Sequence, residues 1–213
     1  ESWTHVEGNR SLEKTYTNIR GHQTTYFYDL EEATLGDLNG DGTTAQQAGN
    51  LVKVAHPTLT IGQTSPVPVV EKFWYDPTGR MTRAIDPTGK ITVFTYLVSG
   101  ATGGYLETAT DDFGGLALET KWTTDRVGNV TSVTSPGQRT YSYTINRLNL
   151  PTAIDGPSGY RAEMSYDGRR RLTQYKVKNF DGDGNQDVSV PWLQTNYTYG
   201  LLGQVASVPR AVA

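Results

Sequence analysis

Apolar and polar positions alternate along most of this chain, in short runs. In Thr140-Tyr-Ser-Tyr-Thr144, Tyr141 and Tyr143 fall on one face, because side chains of an extended strand alternate with a period of two. The runs are closed by Asp, Asn, Gly and Pro, the residues that supply turns. Between Trp74 and Tyr96 the turn Asp-Pro-Thr-Gly occurs twice, as Asp76 to Gly79 and Asp86 to Gly89, with Thr, Ile, Val, Phe and Tyr between and after. The pattern predicts strand, turn, strand, turn. The longest stretch without a turn signal is too short for a helix of several turns, so the expected fold is all-β with little or no helix.

The same unit recurs, with starts near 26, 73, 96, 122, 141, 164 and 197. Uninterrupted units run about 19 to 26 residues, the length of two strands and two turns. One hairpin cannot bury its apolar face alone, whereas hairpins stacked edge to edge pair their backbones and share a face. The expectation is an array of tandem β-hairpin repeats forming a continuous, spiralling antiparallel sheet over 23–206. Residues 1–22 read as a lead-in or partial repeat and 207–213 as a tail or truncated next repeat. Insertions interrupt the array at about 30–48 and 178–192. No cap is visible for either terminal strand edge, which favours a piece of a longer array and permits head-to-tail filaments.

Composition narrows the reading. The 213 residues include 23 Gly, 10 Pro and 13 Tyr, and β-branched and aromatic residues fit a pleated surface. Net charge is −3 with no long basic block, so a nucleic-acid footprint is absent. The cluster Arg169-Arg170-Arg171 reads as a solvated strand face. The absence of cysteine removes disulfides, zinc–thiolate sites and thiol nucleophiles. No apolar run approaches the roughly 20 residues of a membrane helix, and no signal peptide is read at Glu1.

The landmarks resemble the Rhs/YD-repeat family, whose unit carries a Tyr-Asp pair, a Gly-Arg-Leu two residues on, and a further turn. Tyr75-Asp76-Pro-Thr-Gly79-Arg80-Met81 fits very closely. Tyr166-Asp167 with Arg171-Leu172 fits, with Arg170 where Gly is expected, and Tyr28-Asp29 fits once the insertion is removed. Asp125 and Gly128 keep the turn while Thr124 replaces the Tyr. The resemblance implies hairpins wound into a spiral sheet that encloses a toxic domain, and a secreted or cell-surface location. It implies no catalysis here. The family's self-cleaving end bears Asp-Pro-x-Gly-Leu, and Asp86-Pro-Thr-Gly-Lys90 departs from it at Lys90.

Two stretches break the repeat and offer the best sites. Gly36-Asp-Leu-Asn-Gly-Asp-Gly-Thr43 places Asp37, Asn39 and Asp41 at alternate positions, with the Thr43 carbonyl next in line. Asn179-Phe-Asp-Gly-Asp-Gly-Asn-Gln-Asp187 does the same with Asp181, Asp183, Asn185 and Asp187. Such spacing suits Ca²⁺, which takes six to eight oxygens, better than Mg²⁺. Neither loop ends in the acidic ligand of an EF-hand; Ala48 and Trp192 stand there, and Glu31 or Glu32 would have to complete the first from outside. A plain Asx/Gly turn at a hairpin tip is the competing reading.

The remaining chemistry is sparse. His5, His22 and His56 are scattered and read as structural or solvent-facing. Neighbouring carboxylates on a strand point to opposite faces, so Glu31-Glu32 and Asp111-Asp112 make no acid/base couple, and Asp112 reads as part of the turn to Gly114. No phosphate loop, triad or nucleotide motif is present. Tyr26 and Tyr28, Tyr141 and Tyr143, and Tyr197 and Tyr199 predict stacked aromatic ladders, with sugar stacking as the sharper alternative. Expected partners are further YD repeats of the same or a neighbouring chain and an encapsulated toxin domain. The alternatives are a module binding glycan or a surface partner, and a subunit of a filament.

Overall fold

The computed structural model describes residues 1–6, 9–42, 49–59, 67–98, 103–181 and 183–212. The chain divides into two compact units, Glu1–Thr95 with Thr108–Glu119, and Tyr96–Glu107 with Thr120–Ala213. In the first unit the strands are β1 (Ser2–Val6), β2 (Asn9–Thr17), β3 (Gln23–Tyr28), β4 (Leu51–Leu59), β5 (Val67–Tyr75), β6 (Met81–Ile85) and most of β7 (Ile91–Tyr96). Each pairs antiparallel with the next in the chain. The lead-in therefore contributes two paired strands. A 3-10 turn, Asp29–Glu31, and a one-turn helix α1 (Glu32–Leu35) open the first insertion.

Strands β8 (Leu106–Asp111) and β9 (Leu118–Thr124) straddle the boundary between the units. In the second unit β9 is followed by β10 (Val130–Thr134), β11 (Thr140–Ile145), β12 (Pro151–Asp155), β13 (Arg161–Tyr166), β14 (Leu172–Lys178) and β15 (Trp192–Asn196), again paired in chain order. Strands β16 (Thr198–Tyr199) and β17 (Val205–Ser207) make a short hairpin, and β18 (Arg210–Val212) returns to pair with β15. The expected all-β fold of tandem hairpins is the fold observed, with α1 as the one α-helix among the described residues.

Register explains the alternation. In the second unit Tyr143, Ile154, Ala162, Val177 and Leu193 are successive cross-strand partners and lie in one apolar row. The next row places Thr144, Ala153, Glu163, Lys176 and Gln194 opposite one another on the other face. There Glu163 pairs with Lys176 at 2.6 Å and with Arg161 at 2.8 Å. Among the described residues the buried apolar side chains are Val52, Val54, Ala153 and Ala162. So small a core means that each hairpin relies on its neighbours, as repeat stability requires.

Candidate functional site

The repeated chemistry of this chain is its turn. At Asn18, Asp76, Asp86, Asp125, Asn146, Asp167 and Asp181, Oδ1 accepts the N–H groups two and four residues ahead, over 2.8–3.1 Å. The backbone closes the same five-residue loop, with Asp76 N–H on the Arg80 carbonyl and Gly79 N–H on the Asp76 carbonyl, both 2.9 Å. The fourth residue has a positive φ, supplied by Gly79 (82°) in one turn and by Asn149 (59°) and Arg170 (65°) in others. This is a type I turn followed by a left-handed residue, the common three-residue hairpin connection.

The following residue often completes the Asp. Arg80 Nε reaches Asp76 Oδ2 at 2.7 Å, Arg171 Nε reaches Asp167 Oδ2 at 2.7 Å, and Asn129 Nδ2 reaches Asp125 Oδ2 at 2.7 Å. These donors hold the carboxyls below the usual range. The leading cause is the Thr78 hydroxyl at Asp76, the Thr88 hydroxyl at Asp86, the Asn129 amide at Asp125 and the Arg171 N–H at Asp167. The arginine run is therefore a turn and not a strand face: Arg169 is at its exposed tip, Arg170 is its left-handed residue and Arg171 closes it.

The Tyr before each of several turns, paired with Asp at Tyr75 and Tyr166 and with Gly at Tyr199, has a role that its spacing did not reveal. Tyr75 Oη donates to the Leu51 carbonyl at 2.8 Å, Tyr166 to Pro151 at 2.8 Å, and Tyr199 to Leu172 at 2.7 Å. Each acceptor is the first residue of an earlier strand, just after the previous turn. Tyr28 similarly reaches the Glu13 carbonyl at 2.9 Å. The phenols thus fasten one hairpin to the one before it. Burial pushes the Tyr28, Tyr75 and Tyr166 phenols upward, with charges of nearby carboxylates adding at Tyr28 and Tyr75. Among the described residues the ring pairs are Trp3 with Tyr16 at 4.3 Å and Tyr141 with Tyr160 at 6.2 Å. Cations cover other rings, Arg83 over Trp74 at 4.7 Å and Arg171 over Tyr199 at 4.4 Å.

The two candidate metal loops are built differently. The first is inserted in a repeat turn whose closure survives: Asp29 N–H meets the Asn50 carbonyl at 2.9 Å, and Asp29 Oδ1 accepts Gly49 and Asn50 N–H at 2.7 and 3.1 Å. Asp37 Oδ1 accepts Gly40 and Asp41 N–H at 2.6 and 3.1 Å, and its Oδ2 accepts Gly42 N–H at 2.9 Å. The Gly42 N–H leads in holding this carboxyl low. Asn39 is 2% exposed, donates to the Phe73 carbonyl at 2.9 Å and accepts Asp41 N–H at 3.0 Å. Glu32 is also buried; burial raises its carboxyl, Leu38 N–H opposes, and the charges of Asp41, Asp37 and Asp29 add. Thr43 lies outside the described residues.

In the second loop Asp181 is an ordinary repeat-turn Asp, its Oδ1 accepting Asp183 and Asn185 N–H at 3.0 and 2.8 Å. Asp187 closes a separate turn by accepting Ser189 N–H, Ser189 Oγ and Val190 N–H at 2.8, 2.6 and 3.1 Å. Among the described residues no three His, Asp or Glu side chains are gathered where they would hold one ion. His56 Nε2 stands 2.6 Å from Glu71 Oε1, and Glu31 pairs with Lys14 at 2.6 Å. Asp111 takes the Thr92 hydroxyl at 3.0 Å, while Asp112 accepts Leu116 N–H at 3.2 Å within its turn. A shallow groove of about 430 Å³ lies on the apolar face of the second unit, between Trp122, Val133, Tyr143 and the amides of Asn129 and Asn149.

Fold and turns together define an array of β-hairpin repeats, with the Tyr, Asp, Gly and Arg of the landmark each in a fixed structural place. The chain thus has the tandem-hairpin fold that its resemblance to the Rhs/YD repeats implied. Solved structures similar to it include TcdB2-TccC3-TEV, at 14% identity and a TM-score of 0.47 over 99% of this chain. Another is TcdB2-TccC3 without its hypervariable C-terminal region, at 15% and 0.47 over 98%. A third is the Photorhabdus luminescens Tc holotoxin pore with a TccC3 mutation, at 16% and 0.46 over 94%. The chain spans 11% of the length of each of those chains. No protein-family model and no curated protein matches it.

Proposed function

We propose that this chain is a structural segment of an Rhs/YD-type shell, acting outside the cell as part of a wall that encloses a toxin-like domain. The observation that carries the reading is the phenol-to-carbonyl bond made by Tyr75, Tyr166 and Tyr199, which joins successive hairpins. A wall acts mechanically, by excluding solvent and partners. The test uses the longest polypeptide containing the array. Proteolysis of the enclosed part should be slow with the array intact and fast once the array is cut between β7 and β8; equal rates overturn the reading.

Calcium at the first insertion is the finer part of the proposal. It is supported by the alternate oxygens of Asp37, Asn39 and Asp41 and by the mutual repulsion of Glu32, Asp29, Asp37 and Asp41, which a divalent cation would relieve. The second insertion suits the ion less, since Asp181, Asp183 and Asn185 are exposed and Asp187 closes a separate turn. A melting curve that moves with calcium and returns with chelator supports the ion; an unmoved curve removes it. Glycan binding is the second reading, favoured by the Trp122 and Tyr143 groove with its amide rim. Silence across a glycan array retires it.

A further inference from the structure

One edge of the second unit differs from the other in a way that the shell role does not require. Turns 125–129, 146–150 and 167–171 follow alternate strands and so share an edge. They touch side by side: Asn129 Nδ2 donates to Asn149 Oδ1 at 3.1 Å, and Arg170 Nη2 to the Leu148 carbonyl at 2.7 Å. The 200–204 turn joins the row where Arg171 lies over the Tyr199 ring. Successive turns on one edge stand about 10 Å apart, two strand spacings.

The tips of this ridge are cationic and apolar. Arg126, Arg147 and Arg169 are exposed. Beside them Val127 is 66% exposed, Leu148 52%, Leu201 98% and Leu202 94%. The acids of the same turns are engaged within them, Asp125 accepting the N–H and amide of Asn129 and Asp167 the N–H and guanidinium of Arg171. The opposite edge is unlike it. Its tips are Pro136-Gly137, Pro157-Ser158 and the acidic Asp181 and Asp183, with Val188 as its exposed large apolar side chain among the described residues. In a chain of net charge −3 the ridge is a local exception.

We propose that this ridge docks on a bilayer surface rich in anionic lipid, the arginines meeting headgroups while the Val and Leu tips enter the interface. Charge complementarity selects an anionic partner. The apolar residues select a lipid one: Val127 and Leu148 protrude from two tips and the Leu201-Leu202 pair, almost fully exposed, from another. A fluid interface accepts such tips independently.

The test is sedimentation of the purified chain with phosphatidylcholine vesicles in which roughly a third of the lipid is phosphatidylserine, beside pure phosphatidylcholine. Binding is expected on the mixed vesicles, weakening as salt rises. The triple change Arg126→Glu, Arg147→Glu and Arg169→Glu should lower the partition at least roughly tenfold, and the triple Lys variant should retain it. Leu201→Ser with Leu202→Ser should lower it about threefold or more. All of these sites are exposed, and an unchanged melting curve verifies folding. Absence of binding, equal binding to neutral vesicles, or retention on immobilised polyglutamate without vesicle binding would each overturn the proposal.

Discussion

The two insertions are written in nearly the same alphabet, yet only the first ties buried polar side chains into the array. The first runs through Asp37-Leu-Asn-Gly-Asp41, the second through Asp181-Gly-Asp-Gly-Asn185. In the first, Asp29 is 0% exposed, Glu32 2% and Asn39 2%, and Val52 and Val54 in the strand that follows are buried too. In the second, Asp181, Asp183 and Asn185 stay exposed around a turn like any other in the array. The difference comes from long-range ties. Asp29 reaches across 20 residues to Gly49, and Asn39 reaches across 34 to the Phe73 carbonyl. Asp181 bonds only within four residues of itself.

The largest way to break that contrast is to remove its anchor. Asp29→Ala leaves Gly49 N–H, Asn50 N–H and the Asn50 amide without their acceptor in a buried place. The expected loss is about 3 kcal/mol, read from the urea midpoint. Asp181→Ala at the second insertion should lose only a small part of that, because water reaches its turn. Equal losses would show that the two loops are anchored alike.

A smaller effect separates the regions by pH. In the repeat turns Asp76, Asp86, Asp125 and Asp167 have folded carboxyls lowered by hydrogen bonds. Their contribution to stability is present above the unfolded value near pH 4 and is lost as pH falls through the folded values. Glu32 has the opposite sign. Burial raises its folded value, so its contribution is full below the unfolded value and is lost as pH rises through the folded one. Glu32→Gln, measured with chelator present, should therefore stabilise the chain at pH 7. The gain should vanish below about pH 4, where wild-type Glu32 is protonated in both states. A gain independent of pH would assign the effect to packing.

How much of this was legible follows the same division. The turns were legible because each uses a short side chain against its own next four residues, so Asp76, Gly79 and Arg80 had to appear at fixed spacing. The phenol bonds were not, because their acceptors at Leu51, Pro151 and Leu172 are backbone carbonyls that any residue supplies. Aromatic ladders were the natural reading of Tyr-x-Tyr, yet Tyr28 and Tyr199 use their hydroxyls to bind backbone carbonyls. The burial of Glu32 and Asn39 was hidden too. It depends on where α1 and the 37–41 loop are held, and the residues that hold them lie on other strands or beyond the insertion.

The smallest effect concerns the left-handed turn position, filled by Gly79 in the first unit and by Arg170 in the second. Arg170 has φ 65°, where a Cβ crowds the backbone and glycine does not. Arg170→Gly relieves about 1 kcal/mol of that strain. Against it stand the greater freedom of glycine in the unfolded chain and the lost bond from Arg170 Nη2 to the Leu148 carbonyl. That bond is exposed and its acceptor regains water, so it offsets only part of the gain. The net expectation is a stabilisation of a few tenths of a kcal/mol, at the edge of what a denaturation midpoint resolves. Asn149→Gly sharpens the measurement. Asn149 occupies the same position at φ 59° and accepts from Asn129 Nδ2; asparagine tolerates the region better than arginine, so Asn149→Gly relieves less strain and also loses a lateral bond. If Arg170→Gly instead destabilises by more than Asn149→Gly, the bond between adjacent turns outweighs backbone strain. The ridge of turns would then be held together chiefly by its lateral contacts.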